Sequence, residues 1–142
     1  MFQHYVPASV VNKLVRNPEG LNTKGERVEL TVFFSDIRGF TTLSNTERMR
    51  KNPEILTNHL NAYLTEMTSA IHDCGGTLDK YIGDAVVAFF GAPLPMENHA
   101  REACRAALEC QSRLGVFNAR ASEIDMPRLE TVSYTHLTLP TN

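Results

Sequence analysis

The chain contains no tryptophan, only three cysteines and no long apolar run. Each shortage removes a class of protein. Cys74, Cys104 and Cys110 are an odd set without C-x-x-C spacing, which suits reduced thiols filling the core of a cytoplasmic domain and not a disulfide scaffold. The longest apolar stretch, Ala85–Phe90, falls far short of the ~20 residues a membrane span needs. The first residues show no basic-then-apolar leader pattern. A dominant charge is missing too: 14 Lys+Arg stand against 16 Asp+Glu, a formal net charge of −2. No basic surface for nucleic acid or lipid is therefore expected. What remains is 142 residues, 42% of them hydrophobic, enough for one domain with a core.

Residues 1–27 read as a short helix and a connector. Val10, Val11, Leu14 and Val15 form its stripe, and Asn17-Pro18-Glu19-Gly20 stops it. Residues 28–35 (VELTVFFS) are a β-branched and aromatic strand, expected to be buried on both faces. Asn52-Pro53 starts the clearest helix, whose core face is Leu56, Leu60, Tyr63 or Leu64, Met67 and Ile71. Gly75-Gly76 ends it. Thr77–Ile82 and Ala85–Phe90 are strands joined by a two-residue Gly83-Asp84 loop. The last helix, about 98–121, is expected to bury the side bearing Ala100, Cys104, Ala107, Leu108, Gln111, Leu114 and Phe117. This order predicts an α+β, ferredoxin-like βαββαβ fold that stops before its later strands.

Asp36 follows the first strand, where sheets of this kind commonly place functional side chains. Gly39 lets the backbone approach a ligand, and the helix start beyond it offers free N–H groups to phosphate oxygens. Taken alone, Asp36 is equally well a helix cap, and Asp84 is an ordinary hairpin residue. Together they say more. In a βαββ arrangement the first strand pairs beside the hairpin, bringing Asp36 and Asp84 together across 48 positions (84 − 36). Two carboxylates that close repel unless a metal neutralises them. Hard oxygen donors beside phosphates favour Mg²⁺ or Mn²⁺, in outline a two-metal phosphoryl-transfer site. Lys80 lies mid-strand with Leu78 and Ile82 expected on its own face, snorkelling to the edge or meeting an acceptor. Arg38 is read as solvated, and the five histidines show no ligand spacing.

Phe34-Ser35-Asp36-Ile37-Arg38-Gly39-Phe40-Thr41 and Gly75-Gly76-Thr77-Leu78-Asp79-Lys80-Tyr81-Ile82-Gly83-Asp84-Ala85 resemble the two N-terminal signature blocks of class III nucleotidyl cyclases. The resemblance covers roughly residues 2–130 and points to bacterial adenylate cyclases with an upstream sensor. It implies a catalytic domain that dimerises head to tail, with active sites at the interface. It also implies that Asp36, Asp84 and the backbone carbonyl of Ile37 hold two divalent cations, Mg²⁺ or Mn²⁺. Gly39, Phe40 and Thr41 match the phosphate-binding turn, and Lys80 the base-reading residue. A lysine there implies adenine, because guanylate cyclases usually carry an acidic residue. The implied reaction is attack of the ribose 3′ oxygen of ATP on the α-phosphate, giving 3′,5′-cyclic AMP and pyrophosphate. The alternatives are guanylate cyclase activity, or a non-catalytic cyclase-like module that dimerises or binds nucleotide. A diguanylate cyclase would need a GG[DE]EF hairpin where this chain has Tyr81-Ile82-Gly83-Asp84-Ala85.

Residues 126–130 (MPRLE) begin a further strand. Residues 132–142 (VSYTHLTLPTN) show nothing of the family's next, glycine-rich block and resemble a translated sequencing-library adapter. The expected division is a lead-in at 1–27, a partial cyclase catalytic domain at 28–131 and a non-native tail at 132–142. On this reading residues 28–35 are an uncovered apolar edge, and the fragment alone is poorly soluble and makes no cyclic nucleotide. Met1 is read as an internal methionine or the edge of a fragment of a longer signalling protein.

Overall fold

A computed structural model describes residues 11, 12, 15, 16 and 27–138. The expected lead-in helix and connector lie outside the described residues, except that 11, 12, 15 and 16 are helical. The elements are β1 (Leu30–Ile37), α1 (Phe40–Ser44), α2 (Glu47–Lys51), α3 (Pro53–Asp73), β2 (Thr77–Ile82), β3 (Ala85–Phe90), α4 (His99–Glu123) and β4 (Thr131–Thr138). The strands form one antiparallel sheet in the order β2-β3-β1-β4. This is the expected βαββαβ arrangement. Among the described residues, no helix is long and apolar enough to cross a membrane.

Local signals set the ends of α3. Pro53 occupies its first turn. At its far end Gly76 N–H donates to Ile71 O at 2.9 Å and Gly75 N–H to His72 O at 2.9 Å. This is a Schellman closure, and it needs the left-handed φ of 82° at Gly75. Tyr63, Met67 and Ile71 of α3 meet Phe33 of β1 and Val86, Ala88 and Phe90 of β3 in the core. Burial pushes the Cys110 thiol in this core up to about 12, which keeps it unreactive.

Three expectations change. In β1 Thr31, Phe33, Ser35 and Ile37 are buried and their neighbours are only half-buried, so the strand is covered on one face and not on both. α4 buries His99, Ala103, Ala106, Cys110, Leu114, Asn118 and Ala121. Of the expected stripe Leu114 is buried and Ala107 and Phe117 pack against the core, whereas Ala100, Cys104, Gln111 and Leu108 (73%) are exposed. The small side chains of Ala103 and Ala106 let the helix backbone sit close to the sheet, a preference that hydrophobicity alone understates. The third change is β4. It pairs with β1 from Leu30↔Thr138 to Ile37↔Thr131, so the edge expected to be bare is covered. This pairing also carries β1 through Asp36 and Ile37, two residues beyond the strand read from sequence. Beyond Thr131 the side chains of β4 fit the position poorly. Thr131, Ser133 and Thr135 lie opposite the inward Ile37, Ser35 and Phe33, while Tyr134 lies opposite Phe34 and is 54% exposed. Backbone hydrogen bonds, more than apolar burial, hold this strand.

Candidate functional site

Sheet register brings the two carboxylates together. β1 and β3 pair with Ser35 opposite Val86, so the end of β1 meets the loop between β2 and β3. That loop closes in two residues because Gly83 takes a φ of 63°, which glycine adopts without strain. Asp84 leaves the turn toward β1, and its Oδ2 accepts the Ile37 N–H at 3.3 Å. Beyond Ile37, Gly39 at φ 71° turns the chain into α1, and no side chain caps that helix. Asp36 is thus no helix cap.

The Asp84 carboxyl is held above its ordinary pKa, first by burial and then by its hydrogen bond with the Asp36 carboxyl. Facing carboxylates cannot both ionise without cost, so the site favours a proton on Asp84 or a bound cation. The donors within reach are hard oxygens throughout: two carboxylates and the neighbouring main-chain carbonyl of Ile37. This chemistry suits Mg²⁺ or Mn²⁺ and not a soft metal. Among the described residues no cluster of three or more His, Cys, Asp or Glu side chains gathers. A cation here would therefore complete its shell with water or substrate oxygens.

The turn at Gly39, Phe40 and Thr41 lies beside the pair and is partly open to solvent. Its first-turn amides have no acceptor within the helix. Arg38 points at Glu130, 3.9 Å away, with both side chains largely exposed.

Lys80 departs from the sequence reading. A bulge between Leu78 and Lys80 breaks the two-residue period of β2. Leu78, opposite Ala88, is buried in the core, whereas Lys80, opposite Val87, lies on the other face. Its Nζ sits 3.5 Å from Asp79 Oδ2, and its side chain is 60% exposed. β3 separates the strand that carries Lys80 from β1, which carries Asp36, and the ion-pair partner of Lys80 is its neighbour Asp79.

Sequence reasoning missed a buried hydroxyl cluster beneath the pair. Tyr63 OH donates to Thr131 Oγ1 at 3.0 Å, Ser35 Oγ lies 2.9 Å from the same oxygen, and Thr131 Oγ1 donates to Asp36 O at 2.9 Å. The one available signal was a tyrosine on the core face of α3, whose hydroxyl needs a partner when buried. Asn118 was missed as well; its side-chain amide bonds both the N–H and the C=O of Leu129 at 2.8 Å. An apolar groove of about 450 Å³ between α3 and α4, lined by Ile55, His59, Phe117 and Ile124, contains none of the site residues.

The family model of the adenylate and guanylate cyclase catalytic domain matches residues 23–127. A curated relative, adenylate cyclase 1 of Rhizobium meliloti (strain 1021), is 32% identical over 130 residues, 92% of this chain and 19% of the relative. The crystal structure of the guanylyl cyclase Cya2 superposes with a TM-score of 0.74 at 32% identity, covering 80% of this chain and 56% of that one. The adenylyl cyclase CyaB from P. aeruginosa superposes with a TM-score of 0.68 at 36% identity, covering 77% and 55%. The chain therefore spans about a fifth of the curated relative and just over half of the solved chains.

Proposed function

The chain belongs to the adenylate and guanylate cyclase catalytic-domain family, and on that premise we propose that it is the N-terminal part of an adenylate cyclase catalytic domain. The observation that carries the reading is the convergence of Asp36 and Asp84, with the Asp84 carboxyl raised above its ordinary pKa by burial and by Asp36. These carboxylates and the Ile37 carbonyl would hold two divalent cations, Mg²⁺ or Mn²⁺. Bound there, the cations would lower the pKa of the ribose 3′ hydroxyl and neutralise charge on the triphosphate. Gly39, Phe40 and Thr41 bind phosphate oxygens through main-chain N–H groups. The 3′ oxygen of ATP then bonds to the α-phosphorus as the bond to pyrophosphate breaks, giving 3′,5′-cyclic AMP.

Lys80 reads the base. It lies a strand away from Asp36, on the half-buried face shared with Val32, Phe34 and Phe89. A head-to-tail homodimer meeting on that face sets Lys80 of one chain against the carboxylates of the other. Adenine is the base this lysine favours, and the similarity to an adenylate cyclase agrees. The comparable similarity to a guanylyl cyclase structure keeps GTP as the second reading. The parent protein carries an upstream sensor on this account, and residues 132–142 are not the domain's own continuation. The exposure of Tyr134 and Thr135, and a serine opposite the buried Ser35, support that last point.

The test is the longer coding sequence recovered from independent DNA. Its product should make cyclic AMP from ATP, and Asp36→Asn should abolish this. Product made equally by the Asp36→Asn protein would refute the reading, and a coding sequence that repeats residues 132–142 would refute the tail assignment.

A further inference from the structure

The hydroxyl cluster beneath β1 has only one consistent arrangement of protons. Each hydroxyl has one hydrogen to give and two lone pairs to receive. The Asp36 carbonyl can only accept, so Thr131 spends its hydrogen there, at 2.9 Å. Both Thr131 lone pairs are then taken, by the Tyr63 hydroxyl at 3.0 Å and the Ser35 hydroxyl at 2.9 Å. Tyr63 is fully buried, and burial raises its pKa, which keeps the donor proton in place. Thr131 is itself 9% exposed and has no spare capacity for water.

The carbonyl that Thr131 grips belongs to the same planar peptide unit as the Ile37 N–H. That N–H is the donor that reaches Asp84 Oδ2 at 3.3 Å. The next unit is held from the same segment: Arg38 N–H donates to Glu130 O at 2.8 Å, which fixes the plane carrying the Ile37 carbonyl. Two consecutive residues, Glu130 and Thr131, therefore orient both peptide planes around Ile37. A bond of 3.3 Å is long enough that a small rotation of the first plane loses it. A hydrogen bond accepted at the carbonyl also polarises the N–H at the other end of the unit.

We infer that Thr131, oriented by Tyr63, is a positioning residue: through the Asp36–Ile37 peptide unit it holds the Asp84 carboxylate and the Ile37 carbonyl in their cation-binding pose. The cation-binding part of this inference rests on the metal-site reading above. The hydroxyl adds to the strand pairing, which sets Asp36 opposite Val132: Thr131 Oγ1 is a further, side-chain anchor on the Asp36 carbonyl that can be removed without breaking the ladder.

The experiment uses the full chain with Thr131→Val, Thr131→Ser and Tyr63→Phe. Amide hydrogen exchange at Ile37 is read by NMR against Phe33, and Mn²⁺ affinity is read by electron paramagnetic resonance. Thr131→Val should speed exchange at Ile37 relative to Phe33 and weaken Mn²⁺ binding by about tenfold. Thr131→Ser should restore both readouts to within about twofold of the unsubstituted chain. Tyr63→Phe removes one donor but leaves the strand pairing, and should shift both by about threefold in the same direction. This variant decides the matter should valine prevent folding. A merely structural role would speed Ile37 and Phe33 together, and serine would not restore the difference; that result overturns the inference, as does an unchanged Ile37 in Tyr63→Phe. If the unsubstituted chain binds no Mn²⁺, the metal-site reading falls, and exchange at Ile37 alone decides whether Thr131 positions Asp84.

Discussion

Asp84→Asn removes one of two facing carboxylates at nearly constant volume and leaves an oxygen to accept the Ile37 N–H. In the metal-free chain burial and Asp36 raise the pKa of Asp84. The fold therefore binds this proton more tightly than the unfolded chain does. The group stabilises the fold at pH values below the ordinary carboxylate pKa of 3.8, and that contribution is lost as the pH rises through the raised folded value. At pH 7 the unsubstituted chain bears the cost of the second charge and the asparagine variant does not. The site is partly open to water, so the cost is discounted to the range of screened surface charges, about 0.5–1 kcal/mol. Asp84→Asn should then melt about 2–4 °C higher at pH 7 in a chelator, and the difference should vanish near pH 3. Manganese reverses the order. At a hundred times its Kd it stabilises the unsubstituted chain by about 2.7 kcal/mol and leaves the variant unmoved. Thermal melts across pH 3–8, with chelator and with Mn²⁺, read both effects. A variant less stable than the parent chain at pH 7 in chelator, or equal stabilisation of both by Mn²⁺, would refute the reasoning.

Gly76→Ala should destabilise the fold by about 1–3 kcal/mol in urea unfolding, because the new Cβ would lie 2.6 Å from both Ile71 Cγ2 and Phe90 Cζ. An unchanged midpoint would mean that α3 and β3 are looser than described. Ending the chain after Thr131 strips β4 from β1 and exposes the open edge of that strand. Size-exclusion chromatography should then show association, and a clean monomer would contradict it. Lys80→Glu in the longer protein should lower kcat/KM for ATP by about tenfold or more without changing Mn²⁺ affinity. Equal loss with ATP and GTP would show that Lys80 does not read the base.

Much of the fold was legible because its signals are local. Pro53, the Gly75-Gly76 closure and the Gly83-Asp84 loop mark element ends within a few residues of themselves. The Asp36–Asp84 pair was legible by one further step, since the βαββ order dictates which strand meets the hairpin. The misses have non-local causes. The bulge at Leu78/Lys80 is set by the pairing of β2 with β3, so counting residues by twos put Lys80 on the wrong face. The end of β1 moved because β4 pairs with it from about a hundred residues away. The buried stripe of α4 runs through alanines that draw little notice on a hydrophobic scale but permit close approach. The Tyr63–Thr131–Ser35 cluster joins residues 68 and 96 positions apart, and no motif marks a hydroxyl whose partner lies that far away.

The central claim is that Asp36 and Asp84 act as one cation site. Titrating Mn²⁺ into the full chain at pH 7 and following the free-ion signal by electron paramagnetic resonance tests it directly. The account predicts saturable binding by the unsubstituted chain and its loss in both Asp36→Asn and Asp84→Asn. Equal Mn²⁺ binding by all three proteins, or binding by none, would contradict it.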